Sequence, residues 1–403
     1  MKRIVGCIVC CIFFSFVKAE HLTSYVNPFV GTDGYGNVYP GAQIPFGGIQ
    51  ISPDTDDDFY DAASGYKYSH PTLMGFSLTH LSGTSIPDLG DFLFVPGTGE
   101  IKSVPGTHKE PEKGYRSRYS HDKEWASPGY YGVELTDYGV KAEMTASLRS
   151  GIFRFTYPKS NQAFILIDMN HTLWQSCPWA NLRQINDSTL VGYKLVKGWG
   201  PERHIYFAAT FSCKLNDFQI LQDSKQVIYN TKRFRSHLEA WGEKLMACIR
   251  LKTEANEVVY VKTAISGVST EGALKNLQEL NGLGFEDVRK AADEQWEKEL
   301  SKFQVKGDLK TKQTFYTSAY HAALHPFIFQ DVDGNYRGLD KNIEKATNFT
   351  NYTTFSFWDT YRAFHPLLNL INQPLQANIA NSMLAHYDKC FLSGLSTGMK
   401  PGV

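Results

Sequence analysis

The sequence predicts a multidomain β-then-α chain: an antiparallel β-sandwich, a helical linker and a further set of helices. Three observations carry that prediction. At 403 residues with 42% hydrophobic and 20% charged content, the chain can bury a large core and is long enough to divide into two domains. From about residue 24 to 270 it reads as short strands between turn signals, with apolar residues on every second position. Near residue 270 the apolar period lengthens to that of a helix.

The first nineteen residues read as an address. "MKRIVGCIVCCIFFSFVKAEH" has Lys2 and Arg3, an apolar run from Ile4 to Val17 and a Val-Lys-Ala ending, the pattern of a signal peptide cleaved after Ala19. Export to the periplasm or the exterior is therefore expected. Cys7, Cys10 and Cys11 would leave with this peptide. Cys177, Cys213, Cys248 and Cys390 are spaced too widely for a disulfide framework or a cysteine zinc site, so free buried thiols are expected. No other segment is apolar enough to cross a membrane.

The sandwich is assigned to residues 20–270. In "YYGVELT", Tyr131, Val133 and Leu135 share one face; in "VKAEMTAS", Val140, Ala142 and Met144 do the same. "GIFRFTYP" and "NQAFILIDM" follow at the spacing of successive antiparallel strands. Before them comes "FVGTDGYGNVYPGAQIPFGGIQISPDTDDD", which lacks a phosphate-binding GxxxxGK[ST] or a strand-to-helix GxGxxG. Its glycines suit tight turns with positive φ. The alternative is a rim where backbone approaches a ligand, with Asp33 and Asn37 offering hydrogen bonds to hydroxyls.

Residues 271–307 form the predicted helical linker. "GFEDVRKAADEQWEKELSKF" places Val288, Ala292, Trp296, Leu300 and Phe303 on one face, with acidic residues in its first turn. From 308 to 403 an all-helical region is expected. "KTKQTFYTSAYHAALHPF" repeats the pattern through Phe315, Ala319 and Ala323 and stops at Pro326. "QPLQANIANSMLAHYDKC" carries Pro374 near its first turn and Leu375, Ile379 and Met383 four apart.

Composition excludes some functions. Lys plus Arg and Asp plus Glu both number 41, a formal charge of zero, so no electrostatic footprint for nucleic acid or anionic lipid exists and a neutral ligand is expected. Aromatic residues reach 14%, which suits stacking on sugar rings but for most of them suits a β-rich core. Among the carboxylates, Asp54, Asp56 and Asp58 lack the glycine and the distal Glu of a calcium loop and read as a solvated acidic loop. Asp331, Asp333 and Asn335 fail the same test and read as a hairpin turn at Asp333-Gly334. Asp359 in "FWDTYR" sits beside Trp358 in an apolar helical pattern, where a partner such as Arg362 would be needed. His80 and Asp88 in "THLSGTSIPDLGD" suggest a proton shuttle, yet a lone His in a turn-rich loop is more often structural. The sequons at Asn348 and Asn351 matter only in a glycosylating host.

Four stretches together resemble glycoside hydrolase family 92, the calcium-dependent exo-acting α-mannosidases: "VNPFVGTDGYGNVYPGAQIPFGGIQISPDT", "GYKYSHPTLMGFSLTHLSGTSIPDLGDFLFVP", "FYTSAYHAALHPFIFQDVDGNYRG" and "YTTFSFWDTYRAFHPLLNLI". The resemblance implies an N-terminal sandwich, a helical linker and an (α/α)6 catalytic barrel, of which residues 308–403 supply only the first helices. It implies inverting hydrolysis of terminal α-mannosides on mannose-rich glycans, with calcium as cofactor. The acid, the base and most calcium ligands are expected beyond this chain, so no catalytic residue is assigned and the chain is expected to be an inactive fragment. It also implies that Trp358 and Asp359 belong to the pocket of the terminal mannose, with Asp33, Gly34 and His80 as further contacts. The non-catalytic alternative is a carbohydrate-binding sandwich.

Overall fold

A computed structural model describes residues 20–58, 61–227 and 239–397, with side chains through Lys389; the signal peptide expected at 1–19 lies outside the described residues, as does the side chain of Cys390. The strand-rich region forms two large antiparallel sheets. One has seven strands, with Ser160–Asp168 at its centre between Leu93–Thr98 and Leu245–Thr253. The other has nine, in which Tyr130–Leu135, Val140–Ala146, Ser150–Tyr157 and Glu257–Ser266 lie side by side. The alternating residues Tyr131, Val133, Leu135, Val140, Ala142 and Met144 are all buried and share one core with Phe76, Phe94, Ile165 and Ile167 of the opposite sheet. Phe94 and Phe153 meet across the sandwich with ring centroids 5.0 Å apart, a spacing typical of favourable aromatic contacts.

The consecutive strands Ser150–Tyr157 and Ser160–Asp168 are not neighbours as expected. They lie in different sheets, and Tyr157 Oη donates to the Phe164 carbonyl across the turn at 2.8 Å. Alternation specifies which face of a strand is buried and leaves its pairing partner open. Cys248 is buried, Cys177 and Cys213 are half-buried, and all three are free. Among the described residues no helix is long and apolar enough to cross a membrane.

Helices α1 (Thr270–Leu277) and α2 (Phe285–Leu300) follow the sheets, and α3 (Leu309–Ala322) comes next. The predicted face of α2 is the observed one: Val288, Ala292, Trp296 and Leu300 are buried, and Asp287 accepts from the Gly284 N–H at its start at 2.8 Å. Asp308 caps α3 by accepting from Thr311 N–H at 2.8 Å. Its buried face is rotated by one position from the expected Phe315–Ala319 stripe, because Tyr316 and Tyr320 point inward and Tyr320 packs on Trp296 at 4.5 Å between centroids.

The region after 308 is not all-helical. Between α3 and α4 (Phe357–Thr360) the chain makes two small antiparallel ribbons, Phe327–Ile328 with Tyr352–Thr353 and Asn335–Arg337 with Ile343–Lys345. A tight turn does fall at Asp331–Gly334, where Gly334 has φ +85° and donates to the Asp331 carbonyl at 2.9 Å. The paired Asn335–Arg337 strand, however, turns back through residues 338–342 and not at Asp333-Gly334. Helices α5 (Phe364–Ile371) and α6 (Gln373–Thr397) complete the described chain. Leu375 and Ile379 of α6 are buried and Met383 is half-buried, as their spacing predicts.

The glycine-rich stretch is the seam between sandwich and helices. Phe46 N–H donates to the Ala323 carbonyl at 2.8 Å and Ile328 N–H to the Phe46 carbonyl at 3.0 Å, while Trp296 Nε1 donates to the Gln43 carbonyl at 2.7 Å. Close backbone approach, more than positive φ, explains the glycines: a Cβ on Gly48 would sit 2.7 Å from the Ile328 oxygen, and one on Gly41 2.3 Å from the Ile51 oxygen.

Candidate functional site

The loop 80–89 leaves the seven-stranded sheet and returns to it through a closed neck. Gly90 N–H donates to the Thr79 carbonyl at 2.8 Å, and Thr79 Oγ1 donates to Asp91 Oδ2 at 2.7 Å. Asp91 is wholly buried, where an unpaired carboxylate would be costly. Lys194 Nζ lies 3.0 Å from one oxygen and Arg203 Nη1 2.5 Å from the other. Burial alone would raise the Asp91 pKa, but these two cations hold it well below the usual carboxylate range. Arg203 opens the strand Arg203–Phe211 and also comes within 3.8 Å of Asp88, so the hairpin bearing Trp199 and the loop bearing Asp88 are fixed to each other.

This loop forms one wall of a cleft of ≈ 380 Å³; the other wall is His325-Pro326 and the segment from Thr354 to His365, with Trp199 also in the lining. Ser82 N–H donates to His325 Nε2 at 3.0 Å, tying sandwich to helical region at the cleft floor. That bond places the imidazole proton on Nδ1, and burial pulls the His325 pKa down to about 3, so the ring is neutral. On the helical side Asp359 lines the cleft and accepts from Ser356 Oγ at 2.5 Å. The cleft's carboxylates are Asp88 and Asp359, and Asp88 accepts from Leu89 N–H at 2.6 Å.

The predicted site residues therefore separate. Asp359 lies in the cleft, but its surroundings are exposed and its partner is Ser356, not an apolar helix interior with Arg362. Trp358 is adjacent in α4 and 89% exposed, outside the lining. Asp33 and Gly34 lie elsewhere: Gly34 borders a separate hollow with Tyr35, Asp58, Asp61 and Lys67, and Asp33 accepts from Ser69 Oγ at 2.9 Å. His80 is corrected from ligand contact to core residue, since it is fully buried with Nε2 2.7 Å from Asp54 Oδ1 and Nδ1 2.8 Å from the Gln50 carbonyl.

The acidic loop is solvated as expected at Asp57 and Asp58, which are exposed, but not at Asp54 and Asp56. Asp54 is fully buried between His80 and His171, and Asp56 pairs with His108 at 2.6 Å. Against its burial, the two imidazoles hold the Asp54 carboxyl well below its ordinary value; Asp54 in turn raises the His171 pKa despite burial of that ring. Trp199, His325, Thr354 and His365 were not singled out from sequence. The polar run between two apolar strands, "THLSGTSIPDLGD", was the available signal for a loop-built wall.

Calcium takes roughly six to eight oxygen ligands. The cleft offers two carboxylates, each already accepting from a protein donor, and among the described residues no group of three carboxylate, histidine or cysteine side chains gathers there. The carboxylates described at the cleft do not by themselves make a calcium site.

The chain is thus a sandwich joined through a tight seam to helices, with a cleft where the two meet. Residues 25–266 match the glycosyl hydrolase family 92 N-terminal domain and residues 272–400 the family 92 catalytic domain, so the chain belongs to glycosyl hydrolase family 92. It is 74% identical to a solved family 92 α-mannosidase of Bacteroides thetaiotaomicron, with a TM-score of 0.90 over 92% of this chain and 50% of that one; that enzyme has also been solved with mannoimidazole. A family 92 inverting mannosidase of the same organism is 25% identical, with a TM-score of 0.79 over 92% of this chain and 49% of that one. An uncharacterized secreted glycosidase of Arthroderma benhamiae is 26% identical over 353 residues, 80% of this chain and 44% of its own. The chain thus spans about half the length of the relatives it matches.

Proposed function

We propose that this chain supplies the sugar-recognising walls of an exo-acting α-mannosidase that removes terminal mannose from mannose-rich glycans outside the cytoplasm. The carrying observation is the junction cleft, in which Asp359 faces the loop bearing Asp88, with Trp199 at its edge. The 74% identity to a solved α-mannosidase supports the substrate class; the signal-peptide pattern and the secreted fungal relative support export. Asp359 accepts bonds from ring hydroxyls, Trp199 covers an apolar ring face, and Trp358 flanks the opening. His80 acts only by shaping the core behind the loop, and Asp33 and Gly34 take no part in the cleft.

Inverting hydrolysis needs a protonated acid and a separate base roughly 6.5 to 9.5 Å apart across the scissile bond. Asp88 and Asp359 are both placed as acceptors of protein hydrogen bonds, which suits binding and not proton donation. We therefore assign recognition to this span and no catalytic acid or base. Calcium, which the family resemblance implies, would need ligands beyond the two cleft carboxylates.

Two measurements test this. Purified chain from residue 20 should release no mannose from an aryl α-mannoside, with or without calcium; turnover abolished by Asp88→Asn or Asp359→Asn would make that pair the acid and base. Mannose should quench tryptophan fluorescence with a Kd on the order of millimolar, and Asp359→Ala should weaken that by about tenfold, the value of one lost hydrogen bond to a charged group. An equal response to glucose, or a mannose response untouched by Asp359→Ala, would remove Asp359 from the site.

A further inference from the structure

We propose that Asp56, His70 and His108 form a binding site for a divalent transition metal ion, zinc foremost, which shares no residue with the cleft. One carboxylate oxygen and one nitrogen from each ring lie within 4.8 Å of one another. The three come from separate stretches that the sandwich brings together: the loop after Ser52–Asp54, the approach to Thr72–Leu73, and the loop before Pro111–Lys113. The His70 and His108 ring centroids are 4.3 Å apart. Side-chain exposures of 10%, 25% and 21% for His70, His108 and Asp56 leave the group half-buried, sheltered yet reachable by an ion and its water.

The surroundings match what a histidine-bound metal needs. A ligating imidazole carries its other nitrogen on a fixed acceptor, commonly a carboxylate. His70 has Nε2 2.8 Å from Asp61 Oδ2 and Nδ1 3.0 Å from Thr55 Oγ1; His108 has Nδ1 2.8 Å from Thr72 Oγ1 and Nε2 2.6 Å from Asp56 Oδ2. Binding through His70 Nδ1, His108 Nε2 and Asp56 keeps Asp61 and Thr72 as those outer partners.

Without metal these atoms close a hydrogen-bond network, and Arg116 Nη1 stands 3.4 Å from His108 Nδ1. Metal binding displaces the proton between His108 Nε2 and Asp56, and each donor moves by about 1 Å to reach the ~2.0–2.2 Å of zinc–nitrogen and zinc–oxygen bonds. The donor set selects the ion. Two imidazoles and one carboxylate suit zinc and its neighbours, whereas calcium takes oxygen ligands.

The test uses the whole chain, freed of metal by chelator dialysis. Titration calorimetry with zinc should give one site per chain with a Kd below about 10 μM, unaffected by 1 mM calcium as the ~oxygen-only preference of that ion requires; cobalt should give a visible d–d spectrum at the same stoichiometry. His70→Ala and His108→Ala should each lower zinc affinity at least 100-fold, and Asp61→Asn about 10- to 100-fold, the usual effect of removing an outer partner. Should either alanine variant misfold by circular dichroism, X-ray absorption of the zinc-loaded wild type decides: two histidine nitrogens support the site. Absence of stoichiometric zinc binding, displacement by calcium, affinity unchanged in folded variants, or a zinc shell without two imidazoles would overturn it.

Discussion

The sandwich and the helices after residue 356 bury their apolar residues in different ways. In the sandwich, Phe76, Phe94, Tyr131 and Phe153 are wholly enclosed between two sheets that come from the same stretch of chain. In the helical segment, Leu368, Leu375 and Ile379 are buried against α2, α3 and the glycine-rich seam, while Leu370 and Leu384 remain 83% and 62% exposed. Each sheet finds a partner for its apolar face within the sandwich; α5 and α6 are covered on one side only. The sandwich is therefore the region whose stability depends on its own packing, and the helices depend on what they rest against.

The largest expected contrast is in core truncation. Phe94→Ala should cost about 3 to 5 kcal/mol in urea unfolding, since it opens a cavity in a closed aromatic cluster. A loss below about 1 kcal/mol, the level expected at well-tolerated sites, would show that the sheets do not pack as tightly as their burial implies. A smaller effect tests the junction between the regions. Asp331 is buried where it accepts from Ser266 Oγ and Asn276 Nδ2, both at 2.8 Å, and burial pushes its pKa up to about 6 from 3.8. Between those values the folded chain holds a proton that the unfolded chain has released. Stability from this group is therefore lost as pH rises through that window, by at most about 3 kcal/mol. The difference between wild type and Asp331→Asn should change across pH 4 to 7, roughly the span of the two pKa values; a flat difference would mean the carboxyl is ionised in place. The smallest effect belongs to the open helix faces: Leu370→Ser should stay within about 0.5 kcal/mol of wild type and reduce self-association in light scattering. A loss as large as that of Phe94→Ala would break the comparison.

Particular elements show how far sequence reading reached. The faces of Tyr130–Leu135, Val140–Ala146 and α2 were legible because period and burial coincide there. The face of α3 was missed by one residue, because aromatic Tyr316 and Tyr320 lie beside the Phe315–Ala319 stripe and only Trp296 decides which row turns inward. Asp54 and Asp56 of the acidic run differ from the solvated expectation because charge on a loop normally means solvent, and nothing in "DTDDD" announces that His80, His171 and His108 arrive from 26 or more residues away to pair with them. Asp359 was placed by family likeness, while the opposite wall of its cleft, from Leu81 to Asp88 with Trp199, comes from other parts of the chain.

The sequence by itself determined what is local and periodic: two kinds of secondary structure in order, the change of period near residue 270, the absence of net charge, and the motifs that mark the family. Only the tertiary structure decided which carboxylates are buried and paired, which glycines serve close approach, and which loops share a cleft. The physical reason is range. Periodicity and turn chemistry act over a few residues, whereas the energy of a buried charge or a backbone contact depends on groups that meet only after the sheets close, as Asp54 does with His171 and Gly48 with Ile328.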